Sequence, residues 1–219
     1  ANRGCCYTKP LRVREHANRV APFVITQHMV RLVNDPIADR IAPRHKRLVS
    51  VLWRRLAGLS ARGHAISIVA PRGSRLSGLT GAVKCIEVDG TYPENLLNLD
   101  DPDSISIEKE SVLTAMWRAI AGLEKDHDLV INFAYDYLGF YLSHFFSIPV
   151  YHILSLASCS SMIDKEIEAI LEKKPGTVGV HSRSQADSYR FAPKLTIIGN
   201  GVDTEFFRFR KCAENAFLY

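Results

Sequence analysis

From Leu48 onward, short apolar runs alternate with stretches of helical period, and this alternation restricts the fold more than any other feature. Leu48, Leu52, Leu56 and Leu59 recur at helical spacing, with Arg54, Arg55 and Arg62 on other faces and Gly63 placed to cap the C-terminus. AISIVAP (Ala65–Pro71) and VKCIEV (Val83–Val88) read as strands, followed by a loop from Asp89 to Ser106 with two prolines and many acids. Val112, Met116, Ile120 and Leu123 stripe a helix over Ser111–Lys125, and DLVINF (Asp128–Phe133) returns as a strand. An aromatic, partly helical stretch to Phe146 leads into PVYHIL (Pro149–Leu154). Ser161-x-x-Asp164 has the form of a capping box and opens a helix striped by Ile163, Ile167, Ile170 and Leu171, which Pro175-Gly176 ends. TVGVH (Thr177–His181), a short helix Ser184–Tyr189 and KLTIIG (Lys194–Gly199) complete the series. Apolar strands separated by amphipathic helices predict a parallel sheet with helices on both faces, a Rossmann-like α/β domain.

Residues 1 to about 47 have no clear period. APFVITQHMVRLV (Ala21–Val33) fits either a strand or a short helix, and Asp35-Pro36 breaks it. This head is basic: 13 Lys and Arg face 3 Asp and Glu over residues 1–63, against 15 facing 20 in the rest. Such a split fits an arm for nucleic acid or an anionic membrane, a solvated tail, or sequence foreign to the domain. The head lacks the aromatic interleaving of a stacking surface, so no nucleic-acid or membrane partner is expected. No apolar run approaches the roughly 18–20 residues that span a bilayer, and the start lacks a signal-peptide pattern. The five cysteines are scattered without Cys-x-x-Cys spacing, which fits a reducing, cytoplasmic setting.

Ligands of open α/β sheets bind beyond the carboxyl ends of the strands. The candidate positions are therefore Arg72-Gly73-Ser74, Ala134-Tyr135-Asp136, Ser155 to Ser158, His181-Ser182-Arg183 and Asn200-Gly201. G-x-G-x-x-G, Walker A and G-x-S-x-G motifs are missing from these turns, and His and Cys residues lack metal-ligand spacing. Asn132, Tyr135, Asp136 and Tyr137 cluster at one strand end, where Tyr137, Phe140 and Tyr141 equally fit helix packing and Asp136 an N-cap. Arg72, Gly73 and Ser74 are either an anion contact or a plain surface turn. His181, Ser182 and Arg183 begin a helix whose N-terminus favours anions. Asn200-Gly201 reads as a tight turn with positive φ at Gly201, and Asp203 as the cap of the next turn.

Two stretches, LSARGHAISIVAPRGS (Leu59–Ser74) and LTIIGNGVDTEFF (Leu195–Phe207), resemble family-4 glycosyltransferases, enzymes of the two-domain GT-B fold. NFAYDYLGFYLSHFF and PGTVGVHSRSQA narrow the resemblance to the subfamily that glucosylates tetrahydrobiopterin from UDP-glucose. The likeness runs from about Leu56 to Tyr219, with Gly199 where the family usually has proline. It implies an acceptor domain over 54–207, then a linker and the start of a donor domain over 208–219, so the chain is expected to be an inactive fragment. Residues 1–53 lack the family's opening strand and Gly-rich loop, as in a frameshifted or disordered start. That leaves the sheet without its central strand and only marginally stable.

The resemblance further implies sugar transfer with retention, in which an acceptor hydroxyl is held against the donor and the leaving diphosphate is stabilised. It implies a sugar nucleotide, UDP-glucose, as donor through the missing domain, with no cofactor and no metal. Asn132, Tyr135, Asp136, Tyr137, Ser155 and Ser158 would meet the acceptor; a flat, polar pterin suits an aromatic face beside a carboxylate. Arg72, Gly73, Ser74, His181, Ser182, Arg183, Asn200 and Gly201 would line the interdomain cleft. The position of a donor-contacting His in many relatives falls on Ser155, and His152 reads as a core residue. The rival reading is a non-catalytic Rossmann-like module whose basic arm binds nucleic acid or anionic membrane.

Overall fold

The computed structural model describes residues 23–26, 56, 58–74, 83–92, 100–101, 103–105, 107 and 109–201. Seven strands form one parallel sheet: β1 Phe23–Thr26, β2 Ile66–Pro71, β3 Val83–Val88, β4 Leu129–Asn132, β5 Val150–Leu154, β6 Val178–Val180 and β7 Thr196–Ile197. Their spatial order is β3-β2-β1-β4-β5-β6-β7. Fully described α-helices include α1 Val112–Leu123, α2 Tyr137–Leu142, α3 Ser161–Lys173 and α4 Arg183–Ala186. The fold is the expected Rossmann-like α/β class.

The expected gap at the sheet centre is filled. FVIT of the basic head is β1, pairing Phe23↔Ile66 to Thr26↔Val69 on one side and Phe23↔Leu129 to Thr26↔Asn132 on the other. A four-residue segment open to either helix or strand becomes a strand because both neighbours offer it backbone partners.

Register places Val130 beside Val150, and His152 beside both Asn132 and Val178, on one face of the sheet. On this face Val69, Val130 and Val150 pack against Met116, Trp117 and Ile120 of α1. Leu154, Val178 and Val180 pack against Ile163, Ile167, Ile170 and Leu171 of α3. Ile66, Ile68 and Ala70 alternate to the other face and meet Leu56 and Leu59. Each such aliphatic side chain contributes about 1.5–3 kcal/mol on burial. The preceding helix ends as expected: residues 58–61 are helical, Gly63 has φ 85°, and its N–H donates to Ser60 O.

Two local expectations need correction. The N-cap of α3 is Ser160, not Ser161; Ser160 Oγ accepts from Ile163 N at 3.3 Å. No reciprocal bond comes from Asp164, because Asp103 of the acidic loop covers this helix start from outside. It accepts from Ser160 Oγ (2.8 Å), Ser161 Oγ (2.5 Å) and Met162 N (3.1 Å). The positive φ at the last turn lies on Gly199 (70°) and not on Gly201. Asp203, the NGVD remainder and residues 208–219 lie outside the described residues, as do Leu48 and Leu52. Among the described residues no helix is long and apolar enough to cross a membrane.

Candidate functional site

The strand order reverses between β1 and β4, so the carboxyl ends of β1 and β4 flank the crevice where such sheets take ligands, and β5 lies next to β4 on the side away from β1. Asn132 ends β4 and is 1% exposed. Its Oδ1 accepts from Ala134 N (3.0 Å), and its Nδ2 donates to Ala134 O (3.1 Å) and faces His152 Nδ1 at 3.0 Å. These bonds turn the chain after the strand. His152 is a core histidine, 1% exposed, with the Phe140 ring 4.8 Å away. Burial holds its pKa down at about 3, so it is neutral at physiological pH.

Asp136 is the N-cap of α2, its Oδ1 accepting from Leu138 N at 2.9 Å. Burial pushes its pKa up, against those backbone bonds. Tyr137 belongs to an aromatic ladder with Tyr141 (6.0 Å) and Phe145 along α2, and it packs partly on the α3 core. The structure thus ties Tyr137 into helix packing and gives Asn132 and Asp136 supporting bonds.

Tyr135 turns toward the β5 end. Its hydroxyl is buried close to Tyr189 and Cys159 yet makes no well-formed hydrogen bond among the described residues, and burial raises its pKa strongly. Beside it, Asp164 Oδ2 accepts from Ser158 Oγ at 2.6 Å, while Oδ1 has no partner among the described residues. Burial raises the Asp164 pKa. Ser155 is exposed at the tip of β5 and Ser158 half-buried. Tyr135, Ser158 and Asp164 therefore lie together beyond the carboxyl ends of β4 and β5, with Ser155 exposed at the tip of β5.

The remaining positions are largely self-satisfied. Arg72 forms a bidentate pair with Asp89, its Nη2 donating to Oδ2 at 2.6 Å, so its guanidinium is already matched. Gly73 N donates to Glu87 Oε2 (3.3 Å), and Ser74 Oγ to Pro71 O (2.6 Å). Ser182 caps α4 by accepting from Gln185 N (3.1 Å), and Arg183 is exposed. At four residues, α4 is too short for the anion-favouring dipole expected of it. Asn200 and Gly201 are exposed beyond β7.

Sequence patterns did not single out Gln185, Tyr189 or Ser188. Gln185 Nε2 donates to Leu154 O (2.9 Å) and Leu156 O (2.8 Å), and its Oε1 accepts from His181 N (2.8 Å). Tyr189 Oη donates to Leu156 O (2.8 Å), and Ser158 N donates to Ser188 Oγ (3.0 Å). Their only local signal is Ser182, whose capping position implies a helix start just ahead of them.

Chemically, these strand ends offer hydroxyls, an aromatic ring and buried carboxyls, a set suited to hydrogen bonding. The one tight His–carboxylate pair among the described residues, His144 Nε2–Glu166 Oε1 at 2.6 Å, lies at the far end of α2.

No family model and no curated protein sequence matches the chain. Among solved structures it is similar to sucrose-phosphate synthase from Thermosynechococcus elongatus. The identity is 16%, with TM-score 0.43, over 85% of this chain and 92% of that one. It is also similar to a structure described as the glycotransferase of kitacinnamycin. There the identity is 12%, with TM-score 0.49, over 92% of this chain and 55% of that one.

Proposed function

We propose that this chain is the acceptor-binding domain of a retaining glycosyltransferase that moves a hexose, glucose from UDP-glucose, onto a small acceptor such as tetrahydrobiopterin. The observation that carries the reading is the group of Tyr135, Ser158 and Asp164 beyond the carboxyl ends of β4 and β5, with Ser155 exposed at the β5 tip. The resemblance of LTIIGNGVDTEFF and of the β2 region to family-4 enzymes supports the same direction. A pterin combines a flat face for Tyr135 with ring N–H groups and carbonyls for hydroxyl and carboxyl partners. The sugar nucleotide would be held by a second domain, and the reaction calls for neither metal nor cofactor.

The test is calorimetric titration of tetrahydrobiopterin, kept anaerobic, into the 219-residue chain. Saturable binding is expected, weakened about fivefold by Tyr135→Phe through loss of one hydrogen bond. UDP-glucose alone or with the pterin should give no turnover. Absent pterin binding overturns the acceptor assignment, and robust glucose transfer overturns its being half an enzyme.

The surplus of positive charge before Gly63 favours a second reading, an arm for nucleic acid or anionic membrane. Deleting residues 1–47 is a poor test because it removes β1 from the sheet centre. Reversing Arg12, Arg14 and Arg19 to Glu keeps β1. Binding to DNA or anionic vesicles that falls steeply with salt and with these changes would bring that reading forward.

A further inference from the structure

β5 and β6 stay paired as far as Leu154↔Val180, and among the described residues those after Leu154 have no ladder partner. One side chain from the next helix takes that place. Gln185 uses both ends of its amide: Nε2 donates to Leu154 O (2.9 Å) and Leu156 O (2.8 Å), and Oε1 accepts from His181 N (2.8 Å). Tyr189 Oη adds a second donor to Leu156 O (2.8 Å), and Ser188 Oγ receives Ser158 N (3.0 Å) while donating to Gln185 O (2.7 Å). Backbone carbonyls that face inward at a strand end need donors, and here a planar amide supplies two in fixed geometry.

We infer that Gln185 is a positioning residue. It sets the conformation in which Ser155 and Ser158 face the acceptor, and it ties that loop to the cleft edge at His181–Arg183. Gln185 itself need not touch a ligand. The inference rests on the acceptor-site reading for its functional meaning, but the loop geometry can be measured without any ligand.

The experiment uses Gln185→Glu in the full chain. The substitution keeps the shape and the acceptor for His181 N, yet sets an anionic oxygen against the carbonyls of Leu154 and Leu156. The Ser158 amide is expected to exchange at least tenfold faster, with α1 amides unchanged, and tetrahydrobiopterin affinity to fall about tenfold. Facing two carbonyls, the introduced carboxyl titrates above the ordinary carboxyl range, and once protonated it donates again. The affinity gap between variant and wild type, compared at each pH, should therefore narrow from pH 8 to pH 6. Ser188→Ala, on an exposed side chain, should also speed Ser158 exchange and serves if the first variant does not fold. Unchanged exchange at Ser158, or an affinity gap equal at both pH values, overturns the inference. If the wild type binds no pterin but Gln185→Glu loosens the loop, the acceptor reading fails and the positioning geometry stands.

Discussion

Ser161 donates its hydroxyl to Asp103 at 2.5 Å across 58 positions of sequence, joining the acidic loop after β3 to the start of α3. With Ser160 Oγ and Met162 N on the other oxygen, one carboxylate meets three donors at a helix N-terminus. The bonds from Ser161, Met162 and Ser160 hold the Asp103 pKa at about 2, below the usual 3.8. The stabilisation is therefore present above pH 3.8 and is lost as pH falls toward 2. Asp103→Ala is expected to lower the melting temperature at pH 7 and to speed exchange of the Met162 and Ile163 amides. Asp103→Asn, which keeps one acceptor oxygen, should lie between. Equal melting of all three proteins would show that the contact contributes nothing.

His152 gives acid sensitivity in another window. Its folded pKa of about 3 lies below its ordinary 6.5, chiefly from burial and secondarily from the charges of His144 and Lys174. Below pH 6.5 the unfolded chain takes a proton that the folded chain refuses, so stability is complete above 6.5 and falls as pH drops toward 3. The slope is about 1.4 kcal/mol per pH unit, or about 2 kcal/mol between pH 6.5 and 5. Urea denaturation at these two pH values should show it, and His152→Leu should flatten the difference. A wild-type stability that does not change across that interval would contradict a neutral, buried His152.

Gly199 has φ 70°, and a Cβ there would meet nothing within 4 Å. The demand at this position is thus conformational and not steric contact. Gly199→Ala is expected to cost about 1 kcal/mol, since αL backbone is unfavourable for any L side chain. Gly199→Pro, the residue usual in the resembled family, should cost more because its ring fixes φ near about −65°. Denaturant midpoints in the order Gly, Ala, Pro check this; a proline variant as stable as wild type would mean the turn adopts another conformation.

Gly139 lies where α2 meets α1. A Cβ there would stand 2.9 Å from Trp117 Cζ2 and 3.2 Å from Asn132 Nδ2. Gly139→Ala should therefore destabilise by about 1–3 kcal/mol through overpacking. It should also shift the fluorescence of Trp117, which is 3% exposed, and disturb the Asn132–His152 contact. A neutral effect on stability, with unchanged emission, would place the two helices farther apart.

Local pattern made most of the sheet legible. The run VKCIEV is β3 end to end, and β2, β4, β5 and β6 fall within a residue or so of their apolar runs. β7 came out shorter, at two residues, because Ala192–Lys194 form a 3-10 turn just ahead of it. These elements were readable because burial on both faces of a parallel sheet writes itself into consecutive side chains. The strand ends follow from the same rule, which makes Tyr135, Ser155 and Ser158 candidates from the sequence alone.

The sequence by itself determined the class of fold and which residues stand at the strand ends, since both depend on periodicities within a dozen residues. Only the tertiary structure decided what lies at the sheet centre and which polar groups are already engaged. FVIT is a strand because Ile66–Val69 and Leu129–Asn132 flank it. Arg72 is neutralised by Asp89, Asn132 is turned inward to His152, and Gln185 braces Leu154 and Leu156. Each of these three contacts rests on a partner 17 to 31 positions away. Hydrogen bonds and ion pairs reach only a few ångströms, so their partners are fixed by how the chain folds back and leave no mark in the local pattern.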